Sequence, residues 1–137
     1  MKQFIEKIVL KTKGSEIFNI TKIVEDVIKK SAINYGLLNL SILHTSCSLM
    51  IQENADPTVM LDIKNFLKKI APEGNYFHDT EGRDDMPAHL KSLITQSNLT
   101  ISIQNKEMLL GTWQGIFLIE HRYHPKSRKL FFHILGE

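Results

Sequence analysis

The stretch Gly111–His121 sets the tightest limit on what this chain can fold into. Trp113, Phe117 and Ile119 fall on one parity of an extended chain, and Ile116 and Leu118 fall on the other. Neighbouring side chains of a strand point to opposite faces, so this segment is partly apolar on both. That is the signature of a central strand, since an edge or half-solvated strand alternates apolar with polar residues. The chain must therefore provide further strands and covering elements around it.

The rest of the sequence supplies them. Phe4, Ile8 and Leu10 alternate at period two, and Gly14-Ser15 then turns the chain. Ile20, Ile23, Val24, Val27 and Ile28 recur at helical spacing, with Thr21 as N-cap and Gly36 as stop signal. Leu38, Leu40 and Ile42 mark a strand, and Leu49 and Ile51 mark the next. Asp56-Pro57 opens a helix whose apolar face runs through Val59, Met60, Ile63, Phe66, Leu67 and Ile70. Residues Asn75–Met86 read as a polar, irregular segment outside the core. Pro87 starts a short helix with Leu90, Leu93 and Ile94 inward, and strands follow at Leu99–Ile103, Gly111–His121 and Lys129–Leu135. Strands joined by short turns, with two to three helices, predict one α+β domain over residues 1–137, a mostly antiparallel β-sheet or sandwich.

Composition narrows the function classes. A chain of 137 residues with 42% hydrophobic and 23% charged residues can build a core without disulfides or a structural metal. Cys47 is the only cysteine, which suits a reducing compartment, and it reads as a small buried side chain. With a charged N-terminal stretch and no apolar run of membrane-spanning length, the expectation is a soluble, cytoplasmic protein without a membrane partner. A net charge of +2 gives no reason to expect nucleic acid. The charges are unevenly placed: acids crowd Glu73–Leu90, whereas Arg122, Lys126, Arg128 and Lys129 follow without an acid among them. These two segments could pair with each other, or could bind a metal and an anion.

Three blocks could carry chemistry. His44 continues the inward parity of Leu38, Leu40 and Ile42, and Glu53 that of Leu49 and Ile51, which puts both at the rim of a core. His78-Asp79-Thr80-Glu81-Gly82-Arg83-Asp84-Asp85-Met86-Pro87-Ala88-His89 packs two imidazoles and four carboxylates into twelve residues. Histidines suit zinc and similar ions, and carboxylates alone suit magnesium or calcium. The spacing matches no zinc-finger, HExxH or EF-hand pattern. In the third block, Gly111-Thr112-Trp113-Gln114-Gly115, the glycines admit close approach of a ligand or another strand, and Trp113 is either core or ligand contact. Gln114 shares the parity of Ile116 and Leu118 and reads as an inward amide needing a partner. Glu120 shares it too and calls for a cation or a proton. His121, His124 and His133 have no partner pattern and read as surface or interface residues.

Together, His44-Thr45-Ser46-Cys47, Glu53-Asn54-Ala55-Asp56-Pro57, His78-x-x-Glu81-Gly82, Asp84-Asp85-Met86-Pro87-Ala88-His89-Leu90-Lys91 and Leu110-Gly111-Thr112-Trp113-Gln114-Gly115-Ile116 resemble the YjbQ family. Its members are described as secondary thiamine-phosphate synthases. The resemblance runs from about Gly36 to His121 and recurs at Leu135-Gly136-Glu137; Cys47 stands where many relatives carry alanine. It implies a small subunit assembling as a homotrimer. It also implies a transferase activity that joins a pyrimidine methyl diphosphate to a thiazole phosphate and releases diphosphate, secondary to another, unidentified reaction. On this reading His44, Glu53, Glu81 and His89 are catalytic, Trp113, Gln114, Lys91 and Arg122 meet the phosphate or diphosphate substrate, and His44, His78, Asp85 and His89 hold a divalent ion, magnesium or zinc. A zinc-dependent hydrolase built on the same histidines and a non-catalytic metal- or ligand-binding trimer are the alternatives. From their placement at core rims and inside the acidic segment, His44, His78 and His89 are expected to converge within one cleft.

Overall fold

The computed structural model describes residues 1–137. Eight strands and three helices follow in the order β1 (Lys2–Lys11), β2 (Glu16–Asn19), α1 (Thr21–Ser31), β3 (Tyr35–Ile42), β4 (Cys47–Glu53), α2 (Pro57–Ile70), α3 (Asp85–Ile94), β5 (Asn98–Gln104), β6 (Glu107–Met108), β7 (Gln114–Glu120) and β8 (Ser127–Gly136). They form a five-stranded sheet, β1-β8-β3-β5-β6, and a three-stranded sheet, β2-β7-β4, with every pairing antiparallel. The expected single α+β domain is what is found. No helix is long and apolar enough to cross a membrane.

The segment that was most restrictive in the sequence is the middle strand of the smaller sheet. From Gly115 to Glu120, β7 is buried on both faces. Its Ile116 and Leu118, with Leu49 of β4, join a core that also contains Leu38 and Leu40 of β3, Ile101 of β5, Phe132 and Ile134 of β8, and Val24, Val27 and Ile28 of α1. Burying such a side chain is worth about 1.5–3 kcal/mol, so this layer supplies most of the drive to fold. On the other face Phe117 and Ile119 are also buried, and Ile119 shares a cavity wall with Leu67 of α2 and Lys91 of α3. The predicted cation for Glu120 is Arg128, whose Nε donates to both carboxylate oxygens at 3.0 Å. Thr12 Oγ1 donates to Glu120 Oε1 at 2.8 Å, and Arg128 Nη2 also donates to Ser46 Oγ at 3.0 Å.

Several local expectations are corrected. Thr21 is the first helical residue, not the cap; its backbone N–H donates to Asn19 Oδ1 at 2.9 Å, so Asn19 does the capping work. The helix closes at Ala32 in the left-handed conformation (φ 57°), and Gly36 belongs instead to β3. There it faces β8 so closely that a Cβ would lie 2.2 Å from the Leu135 carbonyl oxygen. Helix α2 is capped by Asp56, as expected, yet only Leu67 of its apolar face is buried and Phe66 and Ile70 stay exposed. Helix α3 starts at Asp85, so Pro87 sits in the first turn, where no N–H is required. It buries Asp85, Pro87 and Ala88, leaving Leu93 77% exposed and Ile94 53% exposed. The apolar stripe of α3 faces out because its opposite side is anchored by the buried acid.

Candidate metal and anion site

Asp84 and Asp85 were expected in a solvated loop, but both are buried. Arg122 makes that possible. Its Nε donates to Asp84 Oδ2 at 3.0 Å, its Nη1 to Asp85 Oδ1 at 2.5 Å and its Nη2 to the Glu81 carbonyl at 2.8 Å. The Tyr123 backbone N–H adds a bond to Asp84 Oδ2 at 2.8 Å. Burial alone would raise both carboxyls. The hydrogen bonds and charge of their partners (Tyr123 and Arg122 for Asp84, His78 and Arg122 for Asp85) outweigh it and hold both below the ordinary range. The acidic and basic segments therefore pair. Arg122 is committed to this pairing, so the substrate role expected for it is corrected to a structural one.

With one oxygen fixed by Arg122, Asp85 presents the other to two imidazoles. His78 Nε2 lies 2.7 Å from Asp85 Oδ2 and His89 Nε2 lies 3.3 Å from it, one helical turn along α3. The donor atoms of His78, Asp85 and His89 all fall within 4.8 Å of one another. Glu81, exposed, stands 3.7 Å from His78. His89 Nδ1 is 2.9 Å from the Thr45 carbonyl, which can only accept, so Nδ1 carries a hydrogen. In a neutral His89 the lone pair is then on Nε2, pointing at an oxygen that also has only lone pairs. A cation between them, either a proton or a metal ion, is required. Two nitrogens and one carboxylate oxygen, with the other imidazole nitrogen tied to a backbone carbonyl and the other carboxylate oxygen to an arginine, fit zinc-type ions better than magnesium.

His44 is not in this group. It sits at the end of β3, where its parity placed it, and its Nε2 accepts from the Lys129 backbone N–H at 2.8 Å. Burial and the charges of Arg128 and Lys129 lower its proton affinity. The expected convergence of His44, His78 and His89 is thus met by the second and third only. Thr45, next to His44, contributes through its carbonyl. Glu53, Trp113 and Gln114 form a separate set at the other end of β4 and β7. Glu53 pairs with Gln114 across the strands, six positions from the Cys47–Glu120 pair beside Thr45 and His121. At about 3.3 Å per residue that is about 20 Å. Gln114 is not the inward amide expected: it is exposed and its Oε1 accepts from the Gly111 N–H at 2.6 Å. Trp113 is 62% exposed, so it is no core residue.

Lys91 lies on the far side of α3 from His89 and lines a cavity with Lys64 and Lys68 of α2 and with His121. Burial lowers its proton affinity; the charge of Asp84 opposes this, and Lys68 adds to it. His121, expected at the surface, is 3% exposed, and burial first, then Lys91 and Arg128, push its pKa down to about 3. Cys47 is buried as expected, and burial raises its thiol to about 12, which makes it unreactive. Lys64 and Lys68 were not singled out from sequence, and Asp84 and His121 were given no site role of their own. The one legible signal was the acidic pair Asp84-Asp85 against an isolated basic segment.

Residues 6–137 match the model of the family described as UPF0047 protein YjbQ-like. The chain belongs to this family. It is 43% identical to a UPF0047 protein of Synechocystis, over 99% of this chain and 94% of that protein. It is 46% identical to the UPF0047 protein YjbQ of Escherichia coli O157:H7, over 77% of each. Among solved structures, an uncharacterized YjbQ/UPF0047 protein of Clostridium acetobutylicum superposes with a TM-score of 0.87 at 34% identity, covering 95% of this chain and 99% of that one. A YbjQ-like protein of unknown function from Sulfolobus solfataricus shares the fold at a TM-score of 0.90 and 24% identity, covering 99% of each chain.

Proposed function

We propose that this YjbQ-family chain is a metal-dependent enzyme that cleaves a phosphate or diphosphate linkage of a small molecule, with a divalent ion held by His78, Asp85 and His89. The observation that carries the reading is the His89 ring, whose Nδ1–H is used by the Thr45 carbonyl and whose Nε2 is aimed at Asp85. When bound, the ion would supply Lewis-acid activation of a phosphoryl oxygen or of water. Arg122 fixes the orientation of Asp85, Thr45 that of His89, and Glu81 is the exposed carboxylate available to accept a proton.

The nitrogen-rich donor set favours a zinc-type ion and, with it, transfer to water. The synthase reaction implied by the family resemblance, a pyrimidine methyl diphosphate joined to a thiazole phosphate, is the second reading. The exposed indole of Trp113 favours it, since an aromatic face can stabilise positive charge developing on the pyrimidine methylene. For Trp113 and Glu53 to act with the metal ligands, which lie at the other end of the sheet, a neighbouring subunit must bring them in. The outer face of the five-stranded sheet supports a homotrimer: Ile5, Val9, Leu37 and Leu135 are exposed there, and the buried His133 Nε2 beside them has no partner. Such a face is expected to be covered.

Metal analysis of the purified protein, followed by a diphosphate-release assay, tests these readings. Zinc near one per chain with release from the pyrimidine diphosphate alone supports the hydrolase. Release that requires the thiazole phosphate supports the synthase. A tightly held ion without turnover on any phosphorylated substrate reduces the chain to a binding protein, and absence of metal affinity removes the proposal.

A further inference from the structure

We propose that the cavity between α2, α3 and the end of β7 is a binding site for a small organic phosphate, separate from the His78–Asp85–His89 group. The cavity is about 360 Å³, and Lys64, Lys68 and Lys91 line it from two helices. None of the three makes an ion pair with a carboxylate. Two acids share the walls. Glu16 accepts from the Lys13 backbone N–H, and the Glu120 carboxylate is spent on Arg128 and Thr12. Asp84 and Glu73 act on Lys91 from outside the cavity, but within its walls three ammonium groups face one acid that no cation pairs, Glu16, and an anion relieves that excess of positive charge.

His121 is 97% buried (3% exposed) and lines the space, and its Nε2 is 2.8 Å from Ser48 Oγ. The Thr95 hydroxyl lies 2.6 Å from Ser48 Oγ and 2.7 Å from the Lys91 carbonyl oxygen, which can only accept, so it donates to the carbonyl, Ser48 donates to Thr95, and the imidazole hydrogen sits on Nε2. The volume lies in the lower part of the range for small-molecule pockets and exceeds what one phosphate group fills. Ile17, Leu67 and Ile119 wall the remainder. A phosphate on the lysines, with a short organic body against these apolar walls, uses both halves of the space. Neither half includes a residue of the metal group, so this site does not depend on the metal reading.

Isothermal titration of the full chain with glycerol 3-phosphate, inorganic phosphate and glycerol tests the site. Glycerol 3-phosphate should bind saturably, and glycerol should not. Binding should weaken by about tenfold or more in Lys91→Met and in the double variant Lys64→Met/Lys68→Met. The double variant changes only exposed residues of α2, so its fold is secure even if Lys91→Met is not. His89→Ala should bind as the wild type does. Loss of binding in His89→Ala with both lysine variants unaffected would place the anion at the metal group and overturn the proposal. So would the absence of saturable binding up to roughly 10 mM, well beyond the affinity expected of a formed phosphate site. Inorganic phosphate binding as tightly as the ester would remove the organic body from it.

Discussion

At the scale of single residues, two histidines do opposite things. His89 has one nitrogen fixed to a carbonyl and the other turned to a carboxylate, so it needs a cation. His89→Ala is expected to remove that cation's ligand at little structural cost, since only one hydrogen bond of about 1 kcal/mol and a partly exposed ring are lost. Metal content should fall to background and turnover by about a hundredfold or more, while the thermal midpoint of the metal-free protein stays within a few degrees of wild type. An unchanged metal content would remove His89 from the site. His121, in contrast, is held neutral by burial. Its pKa drops from 6.5 to about 3, so between these values the unfolded chain binds a proton that the folded chain refuses. Stability present above pH 6.5 is therefore lost as pH falls toward 3, by a few kcal/mol on the order of one per pH unit. Melts at pH 6.5, 5.5 and 4.5 should show the decline, and His121→Gln should flatten it. Some slope will persist, because burial also lowers His44. Equal slopes in the two proteins would show that His121 is not the group responsible.

At the scale of elements, what packing decides was legible and what pairing decides was not. The two-faced apolarity of β7, the Asp56-Pro57 start of α2 and the alternation in β1 and β8 all reflect burial, and each element is present. The four-residue β2 was missed because its residues carry no alternation; it exists through its register with β7, from Glu16–Glu120 to Asn19–Phe117. Gly36 was misread as a helix stop because a glycine's role depends on what faces it, and the Leu135 carbonyl is 99 residues away in the chain. The site divides the same way. Local density of histidine and carboxylate pointed to His78, Asp85 and His89, whereas Arg122 and His121 gained their roles only when the basic segment folded back over the acidic one. The Gly36 contact yields a further prediction. Gly36→Ala must push β3 away from β8, at a cost of about 2–4 kcal/mol in urea unfolding. Gly74→Ala, whose Cβ would meet nothing nearer than Tyr76 at 4.0 Å, is the control and should change little. Equal midpoints for the two variants would mean that the strands can give way without loss.

At the scale of the whole molecule, the candidate residues form two sets too far apart for one site within a single subunit. His78, Asp85, His89 and Glu81 gather near the Thr45 end of the small sheet, while Glu53, Trp113 and Gln114 gather at the other. Exposed apolar side chains accompany both sets, with Leu93 and Ile94 on α3, Phe77 just before it, and Trp113 itself. A ring of three subunits in head-to-tail contact would bring one end of each chain against the opposite end of the next. Light scattering should then give the mass of a trimer at micromolar concentration. Catalysis offers a sharper test. Glu53→Gln and His89→Ala should each be inactive alone. When the two are unfolded together and refolded as an equal mixture, random assembly puts both kinds of subunit in three-quarters of the trimers. Each mixed trimer holds one interface at which an intact His89 end meets an intact Glu53 end, out of three. Roughly a quarter of wild-type activity should return, a fraction set by the closed symmetry alone. If each site lay within one chain, every subunit in the mixture would still carry a lesion and no activity would return, whereas an active Glu53→Gln protein would leave Glu53 outside the reaction.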